Sequence, residues 1–349
     1  MKLPSVKDLN LVEKIVLFRA DYDVPLGQDG RVVDATRIED SIPTLKYLFS
    51  QRAKVIGLAH LGRPEGKVVK GLSLKPVAEK LSLFLDKEVR LSTEVLGEKT
   101  KRAIKELKPK EILLLENLRF DLGETRNDKG FAKKLASLGE AYINNAFAVS
   151  HRRHASIVSV PRYLPSAAGL DLIGEVETLT KILQKPNRPV VVILGGVKYS
   201  KIEAARKMIG WADSILVGGK LVIYNGFPKL VKKEKVSGEL KRDGEDITEA
   251  SIKAFEKIIR KAGTIIWSGP MGAFEKEEYN QGTRRIAQAV VKSRAYKVIG
   301  GGDTEAALTQ FGLVDKIDYI SSGGGAMLEF LAEGTLLGVE AIKKGRQGC

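Results

Sequence analysis

The sequence predicts an α/β protein built as two doubly wound parallel-sheet domains joined by an interdomain helix and a hinge. Three observations carry this. Short apolar runs alternate with amphipathic segments of helical period, the pattern of strands feeding crossover helices. Polar residues and glycine pairs fall just after the apolar runs, where open α/β sheets place their ligands. The length, 349 residues, exceeds what one hydrophobic core ordinarily supports.

Taken in order, Ile15-Val-Leu-Phe-Arg19 reads as a strand whose continuation stops at Asp21 and Asp23. Residues 36–49 form a helix, with Ile38, Ile42, Leu45 and Leu48 on one face and Pro43 as a bend. Ala53-Lys-Val-Ile-Gly-Leu-Ala59 is a second strand, ending in His60-Leu-Gly-Arg-Pro64, and residues 74–85 are helical. Residues 111–120 read as a strand with Arg119 at its far end, and residues 129–138 as a charged helix. Ala141-Tyr-Ile-Asn-Asn-Ala-Phe147 then leads into His151-Arg-Arg-His154.

The apolar spacing of residues 170–184 is that of one helix, ended by Pro186 and Pro189. It divides the chain into an N-terminal domain (1–170), an interdomain helix (171–185), a C-terminal domain (186–335) and a terminal segment (336–349). Beyond it, Val190-Val-Val-Ile-Leu194 is a fully buried strand that runs into Gly195 and Gly196, then Lys198 and Lys201, then a helix over 202–212. Strand-and-glycine junctions recur at 214–219, at 264–275, at 297–304 with a helix from Glu305, and at 317–326 with a helix from Met327.

Composition narrows the partners. Lys and Arg number 58 against 43 Asp and Glu, a net charge of +15 that draws in anions. Aromatics are 6% of residues and no basic tail is interleaved with them, so nucleic acid is not expected. The single cysteine, Cys349, allows no intrachain disulfide and no cysteine metal site. No apolar run approaches a membrane span and the N-terminus lacks a secretory core, so we expect a cytoplasmic protein with no membrane partner.

The polar residues define two basins. Asp21, Asp23, His60, Arg63, Arg119 and Arg152, with Arg37 at a helix start, fall at strand ends of the first half. Guanidinium groups bind carboxylate or phosphate oxygens in bidentate fashion, so this basin suits a small, multiply charged anion. Any one of these arginines could equally be a surface ion pair; their recurrence at one end of successive strands favours a site. Asp21 and Asp23 alternate along extended chain, so they are no acid–base dyad.

In the second half, a glycine pair alone serves equally as a tight turn. Several in one domain aim backbone amides and helix N-termini at a shared anion, most economically a nucleotide. Asp303 offers a hard oxygen to Mg²⁺ and Thr304 a hydroxyl, although both also suit helix capping. Neither the Walker spacing nor the dinucleotide glycine fingerprint is present, which argues against a dehydrogenase.

Read together, Arg19-Ala-Asp-Tyr-Asp-Val-Pro25, Asp34-Ala-Thr-Arg37, His60-Leu-Gly-Arg-Pro64, Glu116-Asn-Leu-Arg-Phe120, Asn145-Ala-Phe147, His151-Arg-Arg-His-Ala-Ser156, Gly195-Gly-Val-Lys198, Trp267-Ser-Gly-Pro-Met-Gly-Ala-Phe-Glu275, Gly300-Gly-Gly-Asp-Thr304 and Ser322-Gly-Gly-Gly325 give a chain that resembles phosphoglycerate kinases over nearly its whole length. The resemblance implies phosphoryl transfer between 1,3-bisphosphoglycerate and MgADP, giving 3-phosphoglycerate and MgATP. It implies that Asp21, Asp23, Arg37, His60, Arg63, Arg119 and Arg152 hold the triose acid. Gly195, Gly196, Lys198, Lys201, Glu275, Gly301, Gly302, Asp303 and Thr304 would serve the nucleotide, with Glu275 on the ribose and Asp303 on Mg²⁺. Gly323, Gly324 and Gly325 would stabilise phosphate.

Arg37 and Lys201 are the candidates for the transferring group, and two sites on separate lobes imply hinge closure before chemistry. The resemblance further implies that residues 336–344 cross back to the first domain; a monomer is expected. The family usually has asparagine where Asp23 and Ser268 stand, and one more residue before the second lysine, which leaves Lys198 as the alternative to Lys201. The competing functional reading is a catalytically silent nucleotide- and anion-binding regulator.

Overall fold

The computed structural model describes residues 3–224 and 235–345, so Cys349 lies outside the described residues. The chain divides into two compact units: Met1–Glu177 with Thr335–Cys349, and Thr178–Gly334.

The first unit contains β1 (Ile15–Arg19), α1 (Thr36–Ser50), β2 (Lys54–Leu58), α2 (Lys75–Leu85), β3 (Val89–Leu91), α3 (Glu98–Lys105), β4 (Ile112–Leu114), α4 (Leu122–Thr125), α5 (Lys129–Ala136), β5 (Ala141–Asn144) and β6 (Ser166–Ala168). The strands form one six-stranded sheet in the order β3-β4-β2-β1-β5-β6, every pairing parallel. Alternation along β1 sends Val16 and Phe18 to a core shared with Ile38, Leu45 and Leu48 of α1. Leu17 goes to the opposite core, with Leu135 of α5. Both faces are therefore covered, which is why β1 is apolar without a polar alternation. Truncating any of these side chains to alanine should cost about 2–5 kcal/mol.

The helix α6 (Leu170–Gln184) follows, and the boundary between the units falls within it. The second unit contains β7 (Val190–Leu194), α7 (Ser200–Lys207), β8 (Ser214–Val217), β9 (Lys235–Ser237), α8 (Glu249–Ile259), β10 (Thr264–Ser268), α9 (Gln281–Lys292), β11 (Tyr296–Gly300), α10 (Gly302–Gln310), β12 (Tyr319–Ser321) and α11 (Gly324–Glu333). Its sheet is also six-stranded and parallel, in the order β12-β11-β10-β7-β8-β9. Val191, Ile193, Ile265, Trp267 and Ile299 pack into one core with Phe255 of α8 and Ile286 of α9.

The last helix, α12 (Leu337–Lys343), belongs to the first unit. Its Gly338 N–H donates to Ser150 O at 2.7 Å, and Val339 and Ile342 are buried. A Cβ at Gly338 would lie 2.9 Å from the Ile157 side chain, so the helix docks at backbone contact distance.

Several elements differ from the sequence expectation. The third long apolar run is a strand only over Ile112–Leu114, and Leu118–Phe120 is a 3-10 turn, so Arg119 lies beyond the strand rather than at its end. Asn117 causes the break: its side chain accepts the Arg119 N–H at 3.1 Å and donates to Leu61 O at 2.7 Å. The helix α1 runs unbroken through Pro43. Helices α10 and α11 begin at glycines, three residues before Glu305 and Met327 respectively, because helical periodicity reports apolar side chains and these first turns have almost none. The short edge strands β3, β6 and β9 carry too few residues to show a period.

Candidate functional site

Residues following β1, β2, β4 and β5 converge at the carboxyl end of the first sheet. Arg37, in the first turn of α1, lies 3.2 Å from Asp21 Oδ2 through Nη1, which also donates to Asp23 O at 2.8 Å. Asp23 accepts the Gly62 N–H at 2.8 Å on Oδ1, and its Oδ2 is 3.6 Å from His60 Nε2. Burial would raise the Asp23 carboxyl, but the His60 ring, the Gly62 amide and the Arg119 charge outweigh it and hold the group below the usual carboxylate range. Asp23 is therefore ionised at neutral pH.

His60 is buried and pushed down to about 4 by desolvation, against the pull of Asp23. Its ring is neutral at pH 7, and Arg19 decides the tautomer. Arg19 Nη2 lies 3.2 Å from His60 Nδ1, and a guanidinium only donates, so Nδ1 accepts and the ring proton resides on Nε2. Arg19 is itself held by its own strand end and by Ser156: its Nη1 donates to Ala20 O, and its Nε donates to Ser156 Oγ at 3.0 Å. Ser156 Oγ donates to the buried Glu124 carboxylate at 2.6 Å.

The basin is strongly cationic. Arg119 is pushed down to about 10 by burial and by the charges of Arg152 and Arg19. Burial and Arg63 lower Arg152. These mutual depressions mean that the guanidinium groups share one region while remaining charged. Arg119 Nη1 donates to Gly62 O at 2.7 Å, whereas its Nε and Nη2 are buried without a hydrogen-bond partner, as are both carboxylate oxygens of Asp21. A buried guanidinium with two idle donors is costly unless an anion completes it. The structure thus brings together Asp21, Asp23, Arg37, His60, Arg119 and Arg152, with the exposed Arg63 within electrostatic reach. Sequence reading passed over Arg19, Glu124 and Ser156 as site residues. The available signal was a charge closing an otherwise apolar strand, since an arginine fully buried at a strand end must have partners.

In the second unit, the loops after β7, β8, β10 and β11 line a cavity of ≈ 250 Å³ that includes Gly196, Lys220, Glu245, Pro270, Glu275 and Asp303. Backbone approach makes it. Gly195 N–H donates to Ser268 O at 3.0 Å and Gly196 N–H to Pro270 O at 2.8 Å. A Cβ on Gly195 would sit 2.1 Å from Pro270 O, so no other residue fits. Gly301 has φ +102°, which turns the chain from β11 straight into α10 and leaves its first amides at the cavity. Gly323 and Gly324 open α11, and a Cβ on Gly324 would lie 2.5 Å from Gly300 O. Gly325 is exposed.

The lysines occupy different settings. Lys201, in the first turn of α7, donates to Gly195 O at 3.0 Å and Ser268 O at 3.1 Å. Burial and Lys198 push it down to about 8, with Asp303 opposing them. Lys198 is exposed. Asp303 and Glu275 are exposed carboxylates on the cavity lining. Thr304 differs from the expectation of a free hydroxyl: it is fully buried, its Oγ1 accepts the Gly269 N–H at 2.7 Å, and its own N–H donates to Gly301 O at 3.0 Å.

Among the described residues no cluster of three or more His, Cys, Asp or Glu could hold a metal by itself. The Asp303 carboxylate at the start of α10 is nevertheless a donor that suits Mg²⁺, which takes one or two carboxylates together with substrate phosphates. No helix among the described residues is long and apolar enough to cross a membrane.

Comparison with known proteins adds the following. The family model described as "Phosphoglycerate kinase" matches residues 6–241 and 228–334. A phosphoglycerate kinase of Pseudothermotoga lettingae is 38% identical over 392 aligned positions, covering 98% of this chain and 99% of the relative. That of Moorella thermoacetica is 39% identical over 387, covering 97% and 98%. Both alignments are longer than the chain, so these relatives carry segments that it lacks. The solved phosphoglycerate kinase of Coxiella burnetii superposes with a TM-score of 0.80 at 34% identity, covering 98% of this chain and 99% of that one. That of Pyrococcus horikoshii OT3 gives 0.83 at 27% identity, with the same coverage.

Proposed function

The chain belongs to the phosphoglycerate kinase family and transfers phosphate between ATP and the carboxyl group of 3-phosphoglycerate; we propose that it does so with the two strand-end sites described above. The observation that carries the assignment is the pair of idle donors on buried Arg119, in a basin where no fewer than three other guanidinium groups gather. A ligand with both phosphate and carboxylate groups completes that basin. Arg63, Arg119 and Arg152 would bind it, while His60 Nε2–H orients Asp23, and Asp21 and Asp23 hold Arg37 and the Gly62 loop in place. The carbon skeleton contributes little; charge and the fork geometry of arginine set the specificity.

The cavity of the second unit takes the nucleotide. Amides at Gly301 and Gly302 would face the phosphates, Gly195 and Gly196 would let the ligand approach the backbone closely, Glu275 would meet the ribose, and Asp303 would hold Mg²⁺, whose chemistry there is to neutralise phosphate charge. Thr304 contributes by fixing the β10 loop against α10. Gly323, Gly324 and Gly325 present the N-terminus of α11 to the phosphoryl group in transit.

Transfer needs no covalent protein intermediate, because the acid's carboxylate oxygen attacks the γ-phosphorus directly and ADP leaves in line with it. Arg37 and Lys201 would stabilise the equatorial oxygens, with Lys198 in a supporting role at the exposed end of the loop. Because the two substrates bind to different units, chemistry requires a closed state that also excludes water. No observation favours a catalytically silent regulator. A coupled assay for ATP-dependent consumption of 3-phosphoglycerate by the purified, Mg²⁺-replete protein tests the activity, and absence of turnover would refute it.

A further inference from the structure

Behind the arginine-rich basin lie two buried charges that phosphoryl transfer leaves unassigned. Glu124, on the one-turn helix α4, is fully buried, and so is Arg19 at the end of β1. Burying a charge is costly unless a partner and hydrogen bonds compensate it, and well-packed apolar side chains would fill the same space without that cost. Among the described residues the one ion-pair partner of Glu124 is His154, whose Nδ1 lies 3.8 Å from Oε1. Burial and the charges of Arg119, Arg19 and Arg152 push His154 down to about 3, so its ring is neutral at pH 7. The Glu124 charge is therefore not spent there.

Arg19 and Glu124 meet instead through one residue. Both oxygens of Glu124 accept from Ser156: Oε2 takes its N–H at 2.9 Å and Oε1 its hydroxyl at 2.6 Å. A hydroxyl has a single proton, so once that proton is committed to the carboxylate, the Ser156 lone pairs face Arg19 Nε, which donates at 3.0 Å. Arg19 Nη1 is fixed on Ala20 O and Nη2 on His60 Nδ1 at 3.2 Å. Because the guanidinium is a rigid plane, holding Nε aims Nη2.

From His60 the contacts continue to the ligand side. Nε2–H faces Asp23 Oδ2 at 3.6 Å, Asp23 Oδ1 accepts the Gly62 N–H at 2.8 Å, and Gly62 O accepts from Arg119 Nη1 at 2.7 Å. Arg119 is the guanidinium with two idle donors. The links are directional. Turning the Ser156 hydroxyl round would set its proton against Arg19 Nε–H. Moving the His60 proton to Nδ1 would set it against Arg19 Nη2–H and turn the Nε2 lone pair on the Asp23 carboxylate.

We infer that Glu124 is a positioning residue for the basin: through Ser156 and Arg19 it fixes the Nε2–H tautomer of His60, and thereby the Asp23, Gly62 and Arg119 arm that receives the acid. A glutamine at this position has one acceptor oxygen and an amino group, so it would present donors to one of the two Ser156 donors. This inference rests on the placement of the acid in the basin proposed above.

The test combines nitrogen NMR of isotope-labelled imidazole rings with calorimetric titration of 3-phosphoglycerate and ADP, on the full chain at pH 7. The chain has three histidines, so their signals can be assigned one by one. His60, pushed down to about 4, is neutral at this pH, and its ring nitrogens report the tautomer. In the wild type His60 should show a protonated Nε2 and a bare Nδ1. Glu124→Gln should mix the two tautomers and draw their nitrogen shifts together. It should weaken 3-phosphoglycerate about tenfold while changing ADP by less than about twofold, the size expected for the loss of a charged hydrogen bond on one side only. Ser156→Ala, which deletes only the bridging hydroxyl, should do the same, and it carries the test if thermal denaturation shows that Glu124→Gln does not fold. The double variant should bind no more weakly than either single one, since both break the same chain of contacts. An unchanged His60 spectrum, or an unaltered affinity despite a mixed spectrum, would overturn the inference and leave Glu124 a structural residue. If the wild type does not bind 3-phosphoglycerate, the assignment of the basin fails, whereas the spectra still decide whether Glu124 sets the His60 tautomer.

Discussion

The arginine-rich basin of the first unit and the glycine-lined cavity of the second sit at the carboxyl ends of sheets with similar topology. In each, the first strand of the unit is interior, flanked by the next strand in sequence and by a later one. They are nonetheless made from different parts of the chain. The basin consists of side chains: arginines that depress one another, a neutral histidine, and carboxylates that hold them. The cavity consists largely of backbone, brought to contact distance by glycines. Side chains can surround a small ligand whose charge is dense on all sides. A polyphosphate chain is better followed by successive amides, which carry no titratable charge and lose no rotamer freedom.

Substitutions can break or sharpen this contrast. The largest effect is expected from Gly195→Ala, where the methyl would overlap Pro270 O. Nucleotide binding should be lost and Tm lowered by several degrees, consistent with an overpacking cost of about 1–3 kcal/mol. Calorimetry and thermal denaturation measure the two effects; a variant that still binds nucleotide normally would mean that the cavity is not a backbone cradle.

Arg37→Ala comes next, with kcat down by about 10²–10³ and the KM for 3-phosphoglycerate changed only a few-fold, as expected of a donor used chiefly in the transition state. Steady-state kinetics with unaltered kcat would remove Arg37 from the chemistry.

Lys201→Ala should lower kcat about 10²-fold and Lys198→Ala no more than about threefold, since Lys201 is the ammonium anchored between the β7 and β10 loops. A pH profile sharpens the assignment. With Lys201 pushed down to about 8, its positive charge is present at pH 7 and is lost as pH rises. Wild-type kcat/KM for the nucleotide should therefore fall through about pH 8. A larger loss at position 198 would reverse the assignment.

The smallest effect belongs to Asp23→Asn. The carboxylate is ionised throughout the working range and adds negative charge to the basin proposed for the anionic substrate. Removing the charge while keeping an acceptor for the Gly62 N–H should lower the KM for 3-phosphoglycerate about three- to tenfold at low ionic strength. An unchanged or raised KM would mean that Asp23 acts on the ligand by hydrogen bonding rather than by charge.

Much of this was legible in residues alone. Buried parallel strands announce themselves as apolar runs, and the polar residues following them mark the ligand side of the sheet, so Asp21, His60, Gly196 and Asp303 could be placed without coordinates. Helix starts at Gly302 and Gly324 were not legible, because glycines leave no apolar period. Nor was the turn that displaces Arg119 from its strand, which depends on Asn117 reaching Leu61, distant in sequence.

By itself, then, the sequence determined the α/β class, the strand ends at which the polar residues and glycines gather, and the charge of the side chains there. These follow from local periodicity and residue chemistry. Tertiary structure alone decided which groups are spent and which are free. Thr304 is used up on Gly269, Arg19 sets the tautomer of His60, and Arg119 keeps two donors idle. A hydrogen bond between residues far apart in sequence has no period to read, and whether a charged group is desolvated depends on everything packed around it.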